Sequence, residues 1–199
     1  MVRWFRPWVL VALVFALTGG VVHPGETESV PWKLGFELLD FNRVQVPDRL
    51  GGAKTVWYVL YRVTNDTGQE IPNGVHFALK TDTGKVHRES FNPQAKALAE
   101  KKEKRELKGS ADRPKTFADG ESFEGIAILG ELDPEMDRAD LIVSGLQDVV
   151  SRIGRKRVYE KKALIYEWKR PGDRYWVLFD PVRPVRVYWK TIEGPRVIE

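Results

Sequence analysis

Residues 54–65, KTVWYVLYRVTN, carry apolar side chains on both faces of one extended run: Trp57, Val59, Tyr61 and Val63 on one, Val56, Tyr58 and Leu60 on the other, where Arg62 follows. Side chains alternate across a strand, so this run predicts a central strand buried on both sides over most of its length. A strand of this kind needs a chain long enough to supply packed layers around it. At 199 residues there is room for one such domain and too little for two of typical size.

Shorter runs of the same character surround it. Lys33–Val46 alternates in parts, with Leu34, Phe36 and Leu38 on one face. Gly74–Lys80 and Lys85–Phe91 flank the turn Thr81-Asp82-Thr83-Gly84 and predict a hairpin. Glu121–Leu129, Ala139–Leu146, Arg157–Trp168, Arg174–Phe179 and Val185–Trp189 are further β-type runs, separated by turn clusters at the spacing of a sandwich. One helix is expected, over residues 93–107. It is rich in helix formers and has Glu100–Lys104 and Lys102–Glu106 at i,i+4 spacing. Its apolar stripe of Ala95, Leu98 and Ala99 is thin, which predicts a surface cap or crossover rather than a core helix.

The segment Lys169–Arg174 reads as a turn, with Pro171 setting φ and Gly172 accepting positive φ. Pairing Arg170 with Asp173 would set Trp168, Tyr166 and Leu164 opposite Tyr175, Val177 and Phe179, all on one buried face.

Three of these segments together, WYVLYRVTNDTG, GESFEGIAILGELDPEMDRADLIVSGL and KKALIYEWKRPGD, resemble an uncharacterised family of secreted bacterial proteins with one immunoglobulin-like sandwich behind a signal peptide. More loosely, they resemble the immunoprotective-extracellular-protein type. The resemblance spans Trp57–Asp173. It implies a mainly β chain folded as an immunoglobulin-like antiparallel β-sandwich, and it assigns no catalytic or binding residue. The lysine-rich helix and the tail after Asp180 depart from the family pattern. In such a fold Leu132–Asp137 suits the corner that crosses between sheets, with Asp133 as a cap and Pro134 at the first turn position.

Residues 1–22 have the layout of a secretory signal: Arg3 and Arg6, the apolar run Val9–Leu17, then Thr18, Gly19 and Gly20. Either a cleaved signal peptide or an uncleaved anchor over residues 4–22 is expected, followed by a linker over 23–31 and one domain over 32–199. The location is then periplasmic, extracellular or tethered at the inner membrane. The sequence contains no cysteine, which excludes disulfides, lipidation at the Leu17-Thr18-Gly19-Gly20 stretch, cysteine–zinc or iron–sulfur sites and a thiol nucleophile.

Candidate chemistry is sparse. His23 falls at the processing region. His76 and His87 lie on the two arms of the expected hairpin, where an even loop would put both on one face, near Asp82 and Glu89. Asp133, Glu135, Asp137 and Asp140 form a run of carboxylates in which Ca²⁺ is conceivable, but Arg138 and Ser144 occupy the positions where an EF-hand needs glycine and an acid. Ser144 lacks a Gly-x-Ser-x-Gly setting, and no phosphate-binding loop is present. No cofactor, no metal and no enzymatic role are expected.

Charge is the remaining signal. Residues 151–199 hold 13 Lys and Arg against 6 Asp and Glu, whereas residues 23–150 hold 17 against 22. The basic segment is interleaved with Tyr159, Tyr166, Trp168, Tyr175, Trp176, Phe179, Tyr188 and Trp189. Arg157, Lys161, Lys169, Arg174, Arg186 and Lys190 are therefore expected as a diffuse basic patch that attracts anionic surfaces. Export argues against nucleic acid. The expected function is an exported or membrane-tethered binding or scaffold module of the cell envelope. Its partner would be an envelope protein or a glycan, with anionic lipid or acidic polysaccharide as the alternative contact.

Overall fold

Strand β3 (Ala53–Thr64) lies at the centre of the molecule with both faces covered, as its two apolar faces require. The computed structural model describes residues 32–48, 51–153, 156–170 and 183–198. The other elements are β1 (Trp32–Lys33), β2 (Gly35–Pro47), β4 (Ile71–Pro72), β5 (His76–Thr81), β6 (Val86–Arg88), α1 (Pro93–Glu103), β7 (Thr116–Phe117), β8 (Ser122–Glu131), β9 (Arg138–Ser144), β10 (Gln147–Ile153), β11 (Lys156–Lys169) and β12 (Arg186–Ile198). The leader, the linker and the expected strand Arg174–Phe179 lie outside the described residues. Among the described residues no helix is long and apolar enough to cross a membrane.

All pairings are antiparallel. A smaller sheet has the order β2-β3-β8. The larger sheet runs β12-β11-β9-β5-β6, with β10 also on β11 and β1 on β10. Strands β9 and β10 both pair along β11, separated by Gly145 and Leu146. Gly145 has φ of 75°, and a Cβ there would lie 1.7 Å from the Gly74 carbonyl oxygen, so only glycine fits this break.

The sheets pack face to face. Trp57, Val59, Tyr61 and Val63 of β3 meet Phe77 and Leu79, Leu141 and Val143, and Leu164, Tyr166 and Trp168 of the larger sheet. Ring contacts tie the layers, with Tyr61 and Phe77 centroids 4.5 Å apart and Phe41 and Trp168 4.8 Å apart. Segment Leu132–Asp137 is the corner between sheets that the sequence suggested. Buried Arg170 clamps it by donating to the carbonyls of Pro134 and Met136.

Helix α1 covers the opposite face of the smaller sheet. Ala95 and Ala99 bury against Val44, Val56, Tyr58, Leu60, Ile126 and Ile128. Asn92 caps its start by accepting from the Ala95 amide at 2.9 Å. Lys104, in the left-handed region, ends it earlier than expected, so Glu100 pairs back to Lys96 at 2.7 Å rather than forward to Lys104. The Tyr58 hydroxyl donates to Glu103 at 2.6 Å and fastens the helix to the sheet.

Two expectations fail. The hairpin pairing of β11 is not formed: Leu164 sits between Val143 and Trp189, and Tyr166 between Leu141 and Val187. Alternation identified the core-facing side of β11, Leu164, Tyr166 and Trp168, while Tyr175, Val177 and Phe179 lie outside the described residues; Val185–Trp189 alternates as well, and periodicity does not choose between two such partners. The histidines do not share a face either. Lys80 pairs with Val86 and Leu79 with His87, so an odd number of residues, 81–85, separates the last pair; His87 turns toward the core and His76 away from it.

Candidate functional site

Register alone defines the outer face of the larger sheet. Ala139, Leu141 and Val143 point into the core, so Arg138, Asp140, Ile142 and Ser144 point outward. Cross-strand pairing then aligns three outward rows: Lys190, Ala163, Ser144 and His76; Tyr188, Ile165, Ile142, Ala78 and Arg88; and Arg186, Glu167, Asp140, Lys80 and Val86. Lys169 stands opposite Arg138 at the end of the face.

This face carries six cations, Lys80, Arg88, Arg138, Lys169, Arg186 and Lys190, against two carboxylates, Asp140 and Glu167. Both carboxylates are tied to Arg138, at 3.1 and 3.3 Å. Lys80, Arg88, Lys169, Arg186 and Lys190 are exposed and make no ion pair among the described residues. Arg186 lies over the Tyr188 ring, 4.5 Å from its centroid. The apolar middle row is largely shielded: Ile165 is 3% exposed, and Tyr188, Ile142 and Ala78 are half-buried.

Of the patch expected from sequence, Lys169, Arg186 and Lys190 fall on this face. Lys161 lies beyond it, bridged to Glu193 at 2.9 Å. Arg157 sits at the far end of β11, opposite Arg152 and Ile198. Arg174 is outside the described residues. Sequence reasoning missed Lys80, Arg88 and Arg138. Alternation in β5 and β9 marks Lys80 and Arg138 as outward, but only the strand order brings them beside β11.

The carboxylate run is dispersed. Asp133 pairs with Lys85 at 2.8 Å, which holds its carboxyl below the usual range together with the Glu135 amide. Asp137 meets Arg170 at 3.3 Å, and Asp140 meets Arg138. Among the described residues no group of three or more His, Asp or Glu side chains is gathered to hold a metal.

Beneath the outer face, a buried ion pair closes the core. Arg113 pairs with Glu89, donates to the Tyr61 hydroxyl at 2.6 Å and the Val75 carbonyl at 3.1 Å, and lies over the Tyr61 and Phe77 rings. Burial pushes the Glu89 carboxyl up, opposed by Arg113, and pushes Tyr61 up to about 12 against the same guanidinium. His87, whose Nε2 is buried and has no hydrogen-bond partner among the described residues, is held below the ordinary histidine range by burial and by Lys85.

Two hollows open beside the His76–Ser144 row. One, of about 410 Å³, is bounded by Arg88, Glu89 and Ile142. The other, of about 640 Å³, lies over the break between β9 and β10. No protein-family model matches the chain, and neither a curated protein nor a solved structure matches it.

Proposed function

We propose that the chain is a binding module of the bacterial cell envelope rather than an enzyme, exported or tethered through its N-terminal segment, and that the outer face of its larger sheet holds an acidic glycan. The observation that carries the reading is the set of five exposed cations that make no ion pair among the described residues, Lys80, Arg88, Lys169, Arg186 and Lys190, aligned on one sheet face. Unneutralised like charges repel, and a polyanion laid across the rows relieves that repulsion at many points. The basic n-region and apolar run of residues 1–22 support export, and export sets nucleic acid aside as the ligand.

We read the sandwich as immunoglobulin-like. The order β2-β3-β8 facing β11-β9-β5-β6 corresponds to strands A-B-E facing G-F-C-C′. Helix α1 then stands in the connection from C′ to E, and β12 is an added strand beyond G.

The test uses the purified full chain with polygalacturonate and, in parallel, with neutral and anionic lipid vesicles. Polygalacturonate should bind at low salt and weaken steeply as salt rises. The double variant Lys80→Glu/Arg88→Glu should lose about tenfold in affinity, while Lys101→Glu on α1 changes nothing. Binding to anionic vesicles with no binding to polygalacturonate would transfer the face to a lipid surface. Equal loss in the α1 variant would reduce the face to general charge.

A further inference from the structure

The hollow of about 640 Å³ is built from segments far apart in sequence. Gly74 and Gly145 pack together at it, a Cβ added at Gly74 falling 3.7 Å from the Gly145 Cα, and β1, β5, β9, β11 and β12 all reach its rim. One wall is Trp32, half-buried against the core, and Ile192 lies exposed on another. His76, Ser144 and Gln147 line it, and none of the three makes a side-chain hydrogen bond among the described residues. Lys161 and Lys162 contribute two ammonium groups, shared with Glu193 at 2.9 Å and Glu160 at 3.6 Å.

Its volume falls within the range of about 300–1,000 Å³ found for small-molecule sites. An indole face beside an uncommitted amide, imidazole and hydroxyl suits a ring with one apolar face and a rim of hydroxyls. Ammonium groups at the same rim add a partner for a carboxylate. We infer that this hollow binds one acidic sugar unit of a glycan, stacked on Trp32, with Gln147 and His76 toward its hydroxyls and Lys161 or Lys162 toward its carboxylate. The inference rests on the glycan reading of the neighbouring face, because the His76–Ser144 row joins the two. It adds a unit-specific contact to a charge-driven one.

The probe is tetragalacturonate, compared by titration calorimetry with its fully methyl-esterified form on the full chain. One saturable site is expected, about tenfold weaker for the ester and about tenfold weaker for Trp32→Ala. The stacking part should persist at high salt, where the polymer no longer holds to the face. Because Trp32 also packs on the core, Gln147→Ala serves as the second variant, expected to lose a few-fold in affinity with an unchanged melting temperature. Absence of a saturable site, equal affinity for acid and ester, or full affinity in both variants overturns the inference. Failure here with polygalacturonate still lost in Lys80→Glu/Arg88→Glu removes the hollow and leaves the face. Retention of polymer by the face variant removes the face reading instead.

Discussion

The outer faces of the two sheets solve the same problem in different ways. On the smaller sheet, helix α1 lies over Tyr58, Leu60, Ile126 and Ile128, and the Tyr58–Glu103 hydrogen bond and the Asn92 cap hold it there. On the larger sheet the apolar row of Tyr188, Ile165, Ile142 and Ala78 has no helix above it among the described residues; it runs between rows that carry Lys190 on one side and Arg186 and Lys80 on the other. A helix seals a face permanently. A fringe of Lys and Arg covers apolar surface with its stems and keeps its charged heads in water, available to an anionic ligand. The first arrangement spends a face on stability, and the second leaves one open for contact.

The face the sheets share sets the upper bound. Trp57→Ala should cost about 3–5 kcal/mol in a urea titration, since the indole is buried between the layers. A cost near zero would remove β3 from the centre. Between the two outer faces, Leu60→Ala under the helix should cost about 2–5 kcal/mol and half-buried Ile142→Ala about 1 kcal/mol. Equal costs would mean that the fringe seals as well as the helix does, and the comparison would fail. Asn92→Ala, which leaves the first turn of α1 without its cap, should cost about 1 kcal/mol.

His87 gives a pH-dependent contrast at the edge of the larger sheet. Its folded pKa is lowered by burial first and then by Lys85, so as pH falls the unfolded chain takes up a proton before the folded one. Stability should therefore be intact above about pH 6.5, the unfolded histidine value, and decline below it. Thermal melts of wild type and His87→Gln between neutral pH and pH 5 check this. The variant should show the shallower decline, and parallel curves would place the acid sensitivity elsewhere.

Much of this architecture is legible in single segments. The two apolar faces of β3, the turn at Thr81–Gly84, the stripe of α1 and the corner at Leu132–Asp137 are local patterns, and local patterns survive into the fold. What was illegible depends on which strand lies next to which. Strand β10, polar and set off by Gly145, gives no alternation of its own; β12 runs to Ile198, well past Trp189. The same limit hid the site. Lys169, Arg186 and Lys190 were visible as a basic segment, but Lys80 and Arg88 come from a distant hairpin joined to it only through β9. The hollow was hidden for the same reason, being assembled from five separate stretches. The parity of His76 and His87 turned on a single residue in loop length.

The smallest expected effect is the sharpest test of the contrast. Lys169 pairs directly across from Arg138, and like charges in that relation destabilise a sheet. Lys169→Glu replaces the repulsion with an attraction, so it should stabilise the fold by a few tenths, about 0.2–1 kcal/mol, while weakening polygalacturonate binding. A face selected only as a solvated surface would gain stability and lose nothing. A contact face should show the opposite signs together: a higher melting temperature and a lower affinity in the same variant. If melting is unchanged, Asp140 and Glu167 already neutralise Arg138, and the excess charge of the face is smaller by that one group. If affinity is unchanged while Lys80→Glu/Arg88→Glu still loses it, the ligand crosses β5 and β6 and stops short of the end of β11.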